Sequence, residues 1–365
     1  METVSIKASA KLMCEPLTVN RLLKAIRTDN KIPSVFWPRL LKDKSINSGR
    51  KVNVKLDKEN LEYLRALKKQ IRNTYGIFAS YSMLVCCLLK LYNNPKERKV
   101  MSLNVKGYKA MTANFKENLK GIAEQVKNVL PDILLLQEFR TGENKIFLNT
   151  LLKQLGKYYT PVYPCSYNHK EDYNSCICMM LVGRNIKKVK PMRLTNEQNG
   201  YKLRYNLVQA DDYLILNTWA PQVFSDTKER RELAEKMWKE LLDTAALYSR
   251  RKTRFYLAGD LNAFVGGELE DKILKLNYLL KDTKTLDSDT VPTGPVNILD
   301  YVFVNKYADK QEMVSTEIFE PSIRRLELSD HEALLTTITE INRDRTYTYT
   351  NTHTHTITNK KARPR

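Results

Sequence analysis

Residues 100–340 predict a layered α/β domain, preceded by a small, basic, helix-rich module. Two observations carry that prediction. From Val100 onward, short apolar stretches of strand length alternate with stretches of helical period, the signature of sheets covered by helices. The charge is also partitioned. Residues 101–340 hold 34 Lys/Arg against 32 Asp/Glu, residues 1–100 hold 21 against 8, and residues 341–365 hold 6 against 1, within a net charge of +20. A near-neutral centre with basic flanks is a folded domain carrying segments that attract polyanions, nucleic acid first and anionic membrane second.

In chain order, residues 1–48 are basic and irregular, with a helix expected near Leu17–Ile26. In residues 49–95, Val52, Val54 and Leu56 alternate with Asn53 and Lys55, which predicts a half-buried strand. Asp57 is placed to cap a helix whose apolar residues Leu61, Leu64, Leu67 and Ile71 recur at helical spacing and which Gly76 ends. Ser80 is placed to cap a second helix through Tyr92. "YNNPKERK" (92–99) reads as a linker.

In the central domain, "VMSLNV", "PDILLLQEF", "CICMMLV", "LVQADDYLILNTW", "RFYLAGDLN", "ILDYVFV" and "ALLTTIT" read as strands, and 112–130, 225–249 and 266–280 as helices. The tail "TYTYTNTHTHTITNKKARPR" is low in complexity and expected to be disordered. His353 and His355 lie in it.

The six cysteines (Cys14, Cys86, Cys87, Cys165, Cys176, Cys178) form no C-x-x-C pair and no zinc-type cluster, which favours reduced thiols inside a cell. That location would be nuclear in a eukaryote and otherwise cytoplasmic. The N-terminus has no signal-peptide core. The longest apolar run, Ile77–Leu89, has 13 residues where a bilayer needs about 20, so no membrane is expected.

The apolar strands end on polar residues: Asn104, Glu138, Asn217, Asp260 with Asn262, and Asp300, while Asp330–His331 precedes the last one. Strand ends lie at the rim of a core, and polar side chains converging there form a site. Each alone fits a turn or cap equally well.

The set resembles the endonuclease/exonuclease/phosphatase family over residues 100–340. "LNVKG" (103–107), "LLQEF" (135–139), "LNTWAPQ" (216–222), "GDLNAF" (259–264), "ILDYVFV" (298–304) and "LSDHEAL" (328–334) stand in family order. The resemblance implies a four-layer sandwich, two stacked mixed sheets flanked by helices, with the site at one edge. It implies Mg²⁺, with Mn²⁺ as a substitute, held by Glu138 and Asn104 with Asp330 adding a second carboxylate. Asp260 would deprotonate the attacking water; Asn262, two residues on, shares its strand face because side chains alternate with period two, and can hold the same water or a phosphate oxygen. His331 would donate to a phosphate oxygen, oriented by Asp300, while Glu332 points away. Asn217 and Gln222 would supply amide contacts. A zinc site is disfavoured because His169 is the only other histidine of the domain.

One position departs from the family pattern. Trp219 stands where histidine or tyrosine is usual, and an indole donates one N–H but exchanges no proton at neutral pH. The Ala-Pro-Gln that follows resembles the abasic-site and retroelement endonucleases of the family. The N-terminal strand, helix, turn and helix resemble ribbon-helix-helix DNA-binding modules, which implies a homodimer with Lys51, Asn53 and Lys55 in the major groove. The expected function is a Mg²⁺-dependent DNA endonuclease, possible in a mobile element. The competing readings are a phosphatase or RNA exonuclease of the same fold, and a nucleic-acid-binding homologue that Trp219 has silenced.

Overall fold

The computed structural model describes residues 2–8, 19–20, 23–24, 27, 37–42, 50–93, 97–107, 114–194, 201–221, 227–283, 292–294 and 297–340. The tail, with His353 and His355, lies outside them, as does Gln222.

Two six-stranded mixed sheets stack face to face. The first has the order β13 (Glu312–Ile318), β14 (Leu334–Glu340), β3 (Glu97–Asn104), β4 (Ile133–Phe139), β6 (Ile177–Gly183), β5 (Tyr159–Val162). The second runs β11 (Lys281–Asp282), β12 (Asp300–Val304), β10 (Arg254–Asp260), β9 (Tyr213–Trp219), β8 (Tyr205–Ala210), β7 (Val189–Met192). The central pairs β3/β4 and β9/β10 are parallel and the others antiparallel. Parallel central strands are covered on both faces, which is why "ILLL" and "YLIL" read as continuous apolar runs.

The layer between the sheets holds Leu135, Met180, Val208, Ile215, Ala258 and Val302, one residue from each of six strands. The outer faces are closed by helices. Phe115–Val129 and Ile146–Leu155 cover the first sheet, and Lys228–Ser249 and Glu270–Leu279 cover the second. This is the four-layer sandwich expected above. The hairpin inside "LVQADDYLILNTW" turns at Asp211, whose φ is +55°. The short edge strands β5, β7 and β11 had no readable alternation.

The N-terminal module departs from expectation in two ways. Residues 2–8 form β1, not irregular chain, and β1 pairs antiparallel with β2 (Arg50–Leu56), from Glu2↔Leu56 to Ala8↔Arg50. The ribbon that ribbon-helix-helix dimers build from two subunits is here formed within one chain. The helix Lys58–Tyr75 ends at Gly76 with φ of +72°, as read. Asp57, however, makes no side-chain cap; its backbone N–H is held by Asn20 instead. Ser80 does cap the helix Tyr81–Asn93, accepting from the Met83 N–H at 3.1 Å.

Leu64, Ile71, Leu84 and Leu88 join the same apolar cluster as Leu136, Leu148 and Leu151 of the central domain. The run 77–89 is therefore spent on this core, and among the described residues no helix is long and apolar enough to cross a membrane. Lys55 is exposed, while the side chains of Lys51 and Asn53 lie outside the description.

Candidate active site

The polar strand ends converge at one edge of the sandwich, with the two sheets contributing complementary parts. β3 ends on Asn104 and β4 carries Glu138. From the facing sheet, β10 ends on Asp260 and β12 begins on Asp300. The turn before β14 adds Asp330 and His331.

Two glycines let the backbones meet. A Cβ on Gly107 would lie 1.6 Å from the Glu138 carbonyl oxygen, and one on Gly259 would lie 2.0 Å from that of Thr218. Three site residues adopt the left-handed region: Glu138 (φ +53°), Asn262 (+48°) and Lys106 (+53°). Non-glycine residues rarely stay there unless their surroundings hold them, and such positions gather at functional sites. At Glu138 the pairing of β4 with β6 shifts register between Leu136 and Phe139, a bulge that re-aims the side chain.

Asn104 sits at the centre. Its Nδ2 donates to Glu138 Oε1 at 2.9 Å and to Asp260 Oδ2 at 2.9 Å, and its Oδ1 accepts from the Lys106 N–H at 2.9 Å. The amide expected to bind metal is thus engaged on both ends, and it holds two carboxylates in place. Asn262 reaches Asp260 differently from the expected strand alternation. The strand stops at Asp260, and the left-handed turn folds Asn262 back. Its N–H then donates to Asp260 Oδ1 at 2.8 Å and its Nδ2 to Asp260 Oδ2 at 3.2 Å and the Ala220 carbonyl at 2.9 Å.

His331 Nδ1 faces Asp300 Oδ2 at 2.9 Å, and Nε2 lies 4.0 Å from Asp260 Oδ2, too far for a hydrogen bond. Burial alone would lower the imidazole pKa, but the charge and hydrogen bond of Asp300, with Asp260 and Asp330 behind it, push it up to about 10. Both ring nitrogens then carry protons, and the one on Nε2 has no acceptor at hydrogen-bond distance. Burial raises Asp260 above the ordinary carboxylate range, and the neighbouring Asp300 adds to that. Glu138 is raised too, first by burial, against the opposing hydrogen bond from Asn104.

Two groups compete as cation ligands. Oxygens of Asp260 and Asp300 and a His331 nitrogen lie within 4.8 Å of one another. Their hydrogen bonds, however, form a relay in which both Asp260 oxygens and the bonded Asp300 oxygen already accept. Buried carboxylate oxygens with no hydrogen-bond partner occur at Asp300 Oδ1 inside the relay, and at Glu138 Oε2 and Asp330 Oδ1 outside it. An unpartnered buried carboxylate oxygen is costly unless a cation meets it. Mg²⁺ takes hard oxygen ligands and few protein carboxylates, so the residues present fit it at Glu138.

Two expected residues fall elsewhere. Asn217 is fully buried and turned into the layer between the sheets, donating to the carbonyls of Leu136 (3.1 Å) and Met179 (3.0 Å) and accepting from Gln137 (2.7 Å). It clamps the sheets together and has no group left for substrate. Trp219 lies at the site edge, paired with Asp260 in register, but the Arg204 guanidinium covers its ring at 3.7 Å from the centroid. Glu332 turns away, accepting from Ser322 Oγ at 2.7 Å.

Sequence reading passed over Arg204 and Lys106. The Arg204 guanidinium rests on Trp219 and, at 4.9 Å, on Tyr201, and makes no hydrogen bond or ion pair among the described residues. Its signal was a lone arginine at the start of an apolar strand. Lys106 forms an ion pair with Asp330. It stands in "LNVKG", two residues after Asn104.

The model of the Endonuclease/Exonuclease/phosphatase family matches residues 101–331. Solved structures similar to the chain include truncated Caenorhabditis elegans TDP2, at 19% identity and a TM-score of 0.47, covering 67% of this chain and 98% of that one. A humanized D. rerio TDP2 with 14 mutations has 14% identity and a TM-score of 0.48, covering 67% and 99%. Another C. elegans TDP2 structure has 16% identity and a TM-score of 0.48, covering 91% and 95%. No curated protein matches the sequence.

Proposed function

The chain belongs to the endonuclease/exonuclease/phosphatase family, and from that premise we propose that it is a Mg²⁺-dependent phosphodiesterase acting on DNA as an endonuclease. The observation that carries this reading is the unpartnered, buried Glu138 Oε2 beside the Asp260–His331–Asp300 relay. When bound, Mg²⁺ or Mn²⁺ would neutralise charge on the phosphoryl oxygens.

The remaining work falls to the chain's own residues. Asp260, fixed by Asn104 and Asn262, holds a water and accepts its proton. The raised pKa of Asp260 makes it a better base than an ordinary carboxylate. His331 donates from Nε2 to a non-bridging phosphate oxygen, and Asp300 holds the ring in place and keeps it charged. Arg204 adds a second cationic donor, so the indole at 219 need exchange no proton: it seats the guanidinium.

DNA is favoured as substrate by the basic flanks. In this reading the N-terminal module and the tail bind the backbone of the nucleic acid while the edge of the sandwich cuts it. The Ala220-Pro221-Gln222 that follows Trp219 supports an abasic-site or retroelement type of enzyme.

The test is nicking of supercoiled plasmid with Mg²⁺ or with EDTA. Wild type should nick only with Mg²⁺, and Asp260→Ala and His331→Ala should both lose the activity. Phosphate release from phosphomonoesters without nicking would favour a phosphatase. Tight DNA binding with no hydrolysis of either substrate would favour the silenced homologue.

A further inference from the structure

Lys106 is built into the cation site with unusual firmness. Its N–H is held by Asn104 Oδ1 at 2.9 Å, the preceding Val105 N–H by the Gln137 carbonyl at 3.0 Å, and the following Gly107 packs directly on the Glu138 backbone. From that left-handed position the side chain reaches Asp330 Oδ2. The two side chains are 24% and 27% exposed, so the pair stands at the mouth of the site, not in the core. It borders a cavity of about 400 Å³ that Asn114, Asn118 and Ser329 also line, room for a phosphate group.

We infer that the Lys106 ammonium is a resident cation that takes the place of a second metal ion: it neutralises Asp330 and leaves Glu138 as the carboxylate for a divalent ion. A lysine is a compact point charge with three donors. The ammonium is paired with Asp330. The inference rests on the reading of Glu138 as a metal ligand given above.

The experiment is the stoichiometry of Mn²⁺ binding to the full-length protein, followed by electron paramagnetic resonance of the free ion, for wild type, Lys106→Met and Lys106→Arg. Methionine keeps the stem and removes the charge, and arginine keeps the charge. Wild type and Lys106→Arg should bind one ion, and Lys106→Met should bind two, because Asp330 is released. Two ions on wild type, or one ion of unchanged affinity on Lys106→Met, would overturn the inference while leaving the reading of Glu138 intact. No Mn²⁺ bound by wild type would overturn both. A folded Lys106→Met protein is verified by an unchanged circular dichroism spectrum.

Discussion

The two ends of the sandwich each bury a glutamate between polar partners, and the two are treated in opposite ways. At the end away from the candidate site, Glu312 accepts from Tyr213 Oη at 2.8 Å and from Tyr256 Oη, and Arg254 Nε lies 3.3 Å away. At the candidate site, Glu138 has one oxygen held by Asn104 and the other left open. Burial raises the pKa of both carboxyls. The Glu312 carboxylate has a donor on each oxygen, so it ties β13 to β9 and β10 and its job is stability. The Glu138 oxygen awaits something from outside the chain. A closed cluster is structural and an open one is available for function, and the two are told apart by their hydrogen bonds, not by burial.

The largest effect expected from that contrast is on rate. Asp260→Asn should lower the turnover of plasmid nicking by about 10²–10⁴-fold, the usual worth of a general base, with little change in the melting temperature. Glu312→Ala should do the reverse. It leaves two buried tyrosine hydroxyls and Arg254 without their partner, which costs about 3–5 kcal/mol, read as a drop in the urea midpoint, while turnover per folded molecule stays the same. Loss of activity without loss of stability in Glu312→Ala would break the comparison.

A smaller effect concerns pH. His331 acts charged, and Asp300 keeps its pKa near 10, so activity should persist until pH rises through that value. A raised histidine pKa also means that its contribution to stability is complete below the unfolded value, about 6.5, and fades as pH climbs through the folded one. Asp300→Asn should bring the alkaline limb of the rate profile down toward neutral pH. An unmoved limb would show that His331 is not the titrating group. The smallest effect is on binding. Arg204→Ala should raise KM by about tenfold, the low end for a charge-assisted contact, with turnover less affected.

Much of this architecture was legible because the central strands are apolar throughout and end on acids and amides. Asn104, Glu138, Asp260, Asp300 and His331 stood out as polar strand ends, their roles came from the family resemblance, and the structure brings them to one edge. What was not legible depended on three-dimensional direction. Period two put Asn262 on Asp260's face for the wrong reason, since a left-handed residue, not a strand, returns it there. Asn217 reads like its neighbours in sequence yet points into the layer between the sheets. Strand β1 was hidden because its partner lies some 50 residues away, and its pairing is a tertiary choice, not a local preference. Arg204 and Lys106 were overlooked because isolated basic residues in a chain with 61 of them carry no pattern.

The central claim is that the open oxygen of Glu138 is there to meet a cation. Its most direct test is the thermal midpoint of wild type and of Glu138→Gln with and without Mg²⁺. A ligand that binds only the folded state adds about 2.7 kcal/mol at a hundred times its dissociation constant. The account predicts that Mg²⁺ raises the midpoint of wild type and leaves Glu138→Gln where it was. An equal rise in both would contradict it, because the cation would then be held elsewhere.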